Sequence, residues 1–172
     1  LVTKSENILI VGCINSQRTA QFQLFEQYKS AMFSTLYRML GNYDDAQDVL
    51  QEGFVQVFKR IQDFKKQSTL GAWIKTIMVR QAIARLRKKQ WLETVENLPD
   101  VAFSPPDSML GEAIEAAILK IPEGCRAVFL MIEVEGYAHK EVAELLEISE
   151  GTSKSQLSYA KKLLRNLLKD ER

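Results

Sequence analysis

Residues 137–168 read YAHKEVAELLEISEGTSKSQLSYAKKLLRNLL, and this stretch decides the fold. Val142, Ala143 and Leu146 line one face of a short helix spanning His139 to Leu146. Ala143 is small where two helices cross closely, and Ile148 plugs the turn that follows. Ser149 is a good N-cap for a second helix, Gly151 to about Lys169, because its hydroxyl accepts an otherwise unpaired amide proton. That helix is expected to bury Leu157, Ala160, Leu164, Leu167 and Leu168. A short helix, a tight turn and a longer helix make a helix-turn-helix. Two residues weaken it. Glu147 stands at the turn position that suits glycine, and a non-glycine residue held left-handed costs about 1 kcal/mol. Ala138 stands where a serine would complete a capping box with Glu141, a loss of about 1 kcal/mol.

The other face of the second helix is read as Thr152, Ser153, Lys154, Ser155, Gln156, Ser158, Tyr159, Lys161, Lys162 and Arg165. Such a face suits a DNA major groove. Glutamine pairs with adenine edges, lysine with guanine or phosphate, and serine or threonine with either. Lys161, Lys162 and Arg165 lie further along and are expected to hold phosphates rather than read bases. An ordinary solvated amphipathic helix is the plainer alternative.

Upstream of this motif the chain is helical too. Phe22, Phe25, Tyr28, Met32, Leu36, Met39 and Leu40 recur at helical spacing until Gly41 stops the run. Asp44 or Asp45 can cap the next helix, whose apolar stripe is Ala46, Val49, Leu50, Phe54, Val57, Phe58, Ile61 and Phe64. A third helix after the polar break at residues 65–69 turns Leu70, Trp73, Ile74, Ile77, Met78, Ile83 and Leu86 inward. Residues 91–108 contain Pro99, Pro105 and Pro106 and four acids, with no lysine or arginine, and read as an extended linker. Beyond it, one helix carries Ile114, Ala117, Ile118 and Ile121 to Pro122, and another carries Ala127, Val128, Leu130, Met131 and Val134 to Gly136. The expected architecture is all-α. Two small helical domains, residues 1–90 and 109–172, are joined by a proline-containing acidic linker, and the second holds the helix-turn-helix.

The net charge of +1 conceals a segregation. Asp44, Asp45, Asp48 and Glu52 form a run of acids without a base, whereas Lys59 to Lys89 holds ten bases and one acid, Asp63. Nucleic acid fits the basic stripe, and a basic protein surface fits the acidic patch. Two ordinary solvated faces are the alternative. Trp73 lies close to the polar loop Gln67-Ser68-Thr69 and to Lys66 and Lys75. Small polar groups flanked by bases and an indole can hold an unstacked base. An inward, purely structural Trp73 is the competing reading.

An enzyme finds little support. There is one histidine, His139, no carboxylates clustered beside a nucleophile, and no phosphate-binding glycine loop. The four acids lack the loop glycine of a calcium-binding hand. Two cysteines, Cys13 and Cys125, exclude a disulfide framework and a zinc cluster, read as small core residues, and fit a reducing cytoplasm. No apolar run reaches the roughly 18 residues a membrane helix needs, so no membrane insertion is expected. No metal or cofactor is expected either.

Three blocks together carry a family resemblance. The segment Asp45-Ala46-Gln47-Asp48-Val49-Leu50-Gln51-Glu52-Gly53-Phe54 resembles the core-polymerase-binding motif of bacterial RNA polymerase sigma factors of the extracytoplasmic-function (ECF) group. Phe64 through Lys89, with Trp73-Ile74 and Leu86-Arg87-Lys88-Lys89, resembles their promoter-melting segment. Residues 121–129, Gly136-Tyr137 and Glu150-Gly151-Thr152-Ser153-Lys154-Ser155 resemble their second conserved domain. The resemblance implies a factor that binds core RNA polymerase and promoter DNA, does no covalent chemistry, and meets an anti-sigma factor. It implies docking onto the polymerase clamp helices through Asp45, Asp48, Gln51, Glu52 and Phe58. It implies minus-ten contacts by Lys66, Gln67, Ser68, Thr69, Trp73, Lys75, Arg80 and Arg87. It implies minus-thirty-five contacts by Thr152, Ser153, Lys154, Ser155, Gln156, Ser158, Tyr159 and Lys162. The acidic linker would thread toward the RNA exit path. Arg80 replaces the usual asparagine and Ala84 the usual acid. Gln156 and Tyr159 stand where arginine is common, which implies a shallower salt dependence of upstream readout. A free-standing helix-turn-helix regulator is the rival reading, but it leaves the acidic patch and the linker without a role.

Overall fold

The structure is a computed structural model, and it describes residues 3–88 and 110–168. The expected linker, 91–108, lies outside the described residues. Among the described residues there are eight α-helices and no strand. They form two compact units, one of residues 1–37 with 42–85 and the other of 38–41 with 86–172.

The first unit begins with a helix upstream of the predicted ones. Helix α1 spans Lys4–Ile14, and Thr3 and Glu6 close a capping box at its start. The Thr3 hydroxyl accepts from the Glu6 amide at 3.2 Å, and the Glu6 carboxylate accepts from the Thr3 amide at 2.7 Å. Tyr28 of α2 (Arg18–Leu40) donates to Glu6 at 2.9 Å. The Thr3 amide and then the Tyr28 hydroxyl hold the Glu6 carboxyl below its ordinary range. Burial, then the neighbouring Glu6, pushes the Tyr28 phenol up to about 12. In α2, Leu24, Met32, Leu36, Met39 and Leu40 are buried, while Phe22 turns outward. Gly41, at φ 67°, ends the helix.

Helix α3 (Tyr43–Arg60) is capped by Asn42, not by Asp44 or Asp45. The Asn42 side chain accepts from the Asp45 amide at 2.9 Å. The two aspartates sit in the first turn, where the positive end of the helix favours them. The expected stripe of α3 is buried except for Phe58, which is half-buried. Gly53 permits close packing on α4 (Leu70–Lys88), since a Cβ there would lie 2.2 Å from the Met78 sulfur. The Phe25 and Phe54 rings meet edge-on at 4.9 Å. In α4, Leu70, Ile74, Ile77, Met78, Ile83 and Leu86 are buried, as the period requires, with Val79 and Ala82 beside them.

The second unit holds α5 (Leu110–Lys120), α6 (Glu123–Phe129), a π-helical turn over Leu130–Val134, α7 (His139–Leu146) and α8 (Glu150–Leu167). Its core joins Ala117, Ile121, Cys125, Ala160, Leu163 and Leu167. Arg126 is buried, and its guanidinium donates to the carbonyls of Leu119 and Ile121, each at 3.1 Å. It thereby satisfies acceptors that the end of α5 leaves unpaired. The wider π turn carries Val134 to the surface, against the inward placement its helical period suggested. Cys13 and Cys125 are both buried, and burial pushes the Cys13 thiol up, so it packs rather than reacts.

Both weak points of the helix-turn-helix are visible. Glu147 is left-handed, with φ 57°. Ala138 caps α7 with half a capping box, its amide donating to Glu141 at 2.7 Å with no side-chain acceptor in return. Ala138→Ser supplies that acceptor and is expected to stabilise the domain by about 1 kcal/mol in a denaturant melt.

Candidate nucleic-acid interface

Residues 45, 48 and 52 share one face of α3, because helical neighbours recur at three and four positions. The Asp48 and Glu52 side chains are 64% and 61% exposed. Gln51 is exposed beside them, and Phe58 lies half-buried, its ring 6.0 Å from that of Phe54. Asp45 differs. Its carboxylate is only 18% exposed and pairs with Arg85 of α4 at 2.9 Å. Arg85 belongs to the basic stripe by sequence, but in space it stands among the acids. Sequence spacing alone gave no signal for that, because the contact spans 40 positions.

Between α3 and α4 the chain passes a 3₁₀ turn, Ile61–Asp63, and a polar loop. Lys66 is left-handed at φ 59°, a strained conformation for lysine that turns the loop sharply. Thr69 caps α4, its hydroxyl accepting from the Ala72 amide at 3.2 Å. The Ser68 hydroxyl donates to the Thr69 carbonyl at 3.2 Å. The folded loop leaves a cavity of about 180 Å³ lined by Asp63, Phe64, Lys65, Gln67, Ser68 and Trp73. Trp73 is half-buried, its ring tilted on that of Phe64 at 5.4 Å, so packing and an open indole face coexist. Lys66, Gln67 and Ser68 are exposed. Further along α4, Lys75 is half-buried, while Arg80 and Arg87 are exposed.

In α8 the Ser149 cap forms as expected, accepting from the Thr152 amide at 2.9 Å. Lys154, Ser155, Ser158 and Lys162 are exposed along one face with Arg165, and Thr152 is half-buried. Two assigned readers do not belong to that face. Ser153 and Gln156 are 0% and 2% exposed, packed inward rather than displayed with the exposed residues. The buried stripe runs through Ser153, Gln156, Leu157, Ala160, Leu163 and Leu167, rotated from the purely apolar stripe that put Leu164 and Leu168 innermost. The Ser153 hydroxyl shares a 2.9 Å hydrogen bond with His139 Nδ1, which makes a polar residue tolerable between α7 and α8. The single histidine was the clue to that partnership. Ser153→Ala orphans the imidazole nitrogen and is expected to cost about 1–2 kcal/mol in thermal or chemical unfolding. Tyr159 is half-buried against the core, and Lys161 pairs with Glu133 at 2.7 Å. Tyr159 is thus drawn back from solvent, whereas the Lys161 side chain stays 42% exposed with its ammonium held by Glu133.

The family profile described as Sigma-70 region 2 matches residues 24–92, and that described as Sigma-70, region 4 matches residues 111–164. The first match takes in the acidic face and the cavity, and the second takes in the helix-turn-helix. The chain is a sigma factor of the ECF group. It is a DNA-binding transcription initiation factor. It is 29% identical over 157 residues to the ECF RNA polymerase sigma factor SigE of Mycolicibacterium smegmatis, covering 85% of this sigma factor and 60% of that protein. It is 28% identical over 160 residues to SigW of Bacillus subtilis, covering 83% and 86%. Among solved structures, the sigma factor RpoE of Bartonella quintana, crystallised with the anti-sigma factor NepR, shares the fold with a TM-score of 0.52. The identity is 23%, over 87% of this sigma factor and 97% of that chain. Among the described residues no helix is long and apolar enough to cross a membrane.

Proposed function

We propose that this sigma factor docks on core RNA polymerase through Asp48, Gln51 and Glu52, captures an unstacked minus-ten base in the cavity at Trp73, and reads the minus-thirty-five element with α8. The observation that carries this reading is the cavity. An indole and an amide, with Lys65 and Lys66 close by, surround about 180 Å³. An aromatic face stacks a base, and cations hold its phosphates. The readers on α8 are Thr152, Lys154, Ser155, Ser158 and Lys162. Ser153 and Gln156 are left out of this set because they are buried. Asp45 serves the docking face through Arg85 rather than by direct contact. Thr69 shapes the loop as a helix cap. Residues 1–90 and 109–172 act as two DNA-contacting domains on the 91–108 tether. Tethering raises the effective concentration of the second contact, so each can be weak alone.

The factor works in the cytoplasm and catalyses no covalent reaction itself. Trapping a base stabilises the open strand without nucleotide hydrolysis. An anti-sigma factor is its expected inhibitor, in keeping with the complex in which RpoE was crystallised. The test is photocrosslinking from cysteine-attached probes at Ser68 and Ser158 in the complex with core polymerase and promoter DNA. Crosslinks from Ser68 to the non-template strand of the downstream element, and from Ser158 to the upstream element, are expected. Crosslinks from both probes to one element would refute the division of labour.

A further inference from the structure

Arg85 is a residue of the basic stripe that the proposed function leaves without a task, and it is held among acids. Its guanidinium is held from one side. Nη1 lies 2.9 Å from Asp45 Oδ1, and both side chains are largely buried, at 24% and 18% exposed. On the other side Nη2 lies 3.5 Å from Glu52 and 3.9 Å from Asp48, whose carboxylates are turned to solvent. The tight contact thus anchors the arginine, and the loose contacts fall on the two acids that a partner can reach.

We infer that Arg85 sets the strength of polymerase docking, acting as a built-in counter-cation with which a basic partner must share Asp48 and Glu52. The inference rests on the reading that the acidic face is the docking face. A partner lysine or arginine that approaches Glu52 also approaches the fixed positive charge of Arg85. One like charge at about 4 Å in water weakens such a contact about five-fold. Asp45 prevents Arg85 from swinging away, so the repulsion is not relieved by a change of rotamer. The result is weaker docking with faster release than the three acids alone would give.

A mutant cycle on the full-length chain tests this, with labelled sigma factor titrated against purified bacterial core RNA polymerase. The four proteins are the wild type, Arg85→Gln, Asp48→Asn/Glu52→Gln and the triple variant. Arg85→Gln is expected to bind about five-fold more tightly, with slower dissociation, and the gain should vanish in the triple variant. A merely structural Arg85 would weaken binding in both backgrounds. If Arg85→Gln proves unfolded, Asp45→Asn/Arg85→Gln, which strands no buried charge, takes its place with the same expectation. Folded arginine variants that bind no more tightly than wild type overturn the inference, even where loss of the acids weakens binding and the docking reading stands. If loss of the acids leaves binding unchanged, the docking reading falls, and this inference falls with it.

Discussion

Asp48→Arg/Glu52→Arg is expected to lower the affinity for core RNA polymerase at least about 100-fold, because reversal replaces two attractions with two repulsions at a charged contact. Both carboxylates are exposed, so neither supports the helix packing beneath them. Exposed ion pairs contribute little to folding, and the variant should stay folded. Its circular dichroism and melting temperature should remain close to wild type while polymerase binding collapses. The wild-type affinity should fall as salt rises, because exposed charges are screened over roughly 10 Å at 0.1 M. The reversed variant should lose most of that dependence. Unchanged affinity in a folded variant would remove the docking assignment.

Trp73→Ala is expected to weaken binding of the polymerase complex to fork DNA carrying an unpaired minus-ten base by about 1–3 kcal/mol, or roughly 5–150-fold. The ring provides one wall of the cavity and rests on Phe64, so its loss opens the pocket on the side where a base would stack. Binding to fully paired DNA that carries only the minus-thirty-five element should not change. That contrast separates lost base capture from general instability, which would weaken both. Trp73→Phe should recover part of the loss, since a smaller ring still stacks. Equal losses on the two DNAs would assign Trp73 to packing alone.

Much of the architecture is legible in the sequence because apolar spacing is a direct consequence of burial. The stripes of α3 and α4, the bounds of α7 and the cap at Ser149 follow from residue type and helical period. Part of what escaped was set by pairs distant in sequence, and part by local conformation. Helix α1 is announced only by Thr3 and Glu6 three positions apart, and Tyr28 completes its tie to α2. The face of α8 is rotated from the one its apolar residues predict, because a serine and a glutamine join the buried stripe. Polar atoms can be buried once a partner such as His139 meets them. Arg85 belongs by sequence to the bases of α4, yet Asp45 of α3 pairs with it. A helix cap is a local property, but Asn42 preceded the two aspartates that looked equally suitable. The cavity at Trp73 depends on the left-handed turn at Lys66, and no composition rule assigns that conformation to a lysine.

The most direct measurement is run-off transcription from a genomic promoter library, with purified bacterial core RNA polymerase and this chain as the sole added factor. Transcripts from a discrete set of promoters are predicted to appear with wild type and to disappear with Asp48→Arg/Glu52→Arg. Equal transcription by the two proteins, or transcription no different from core polymerase alone, would contradict the account.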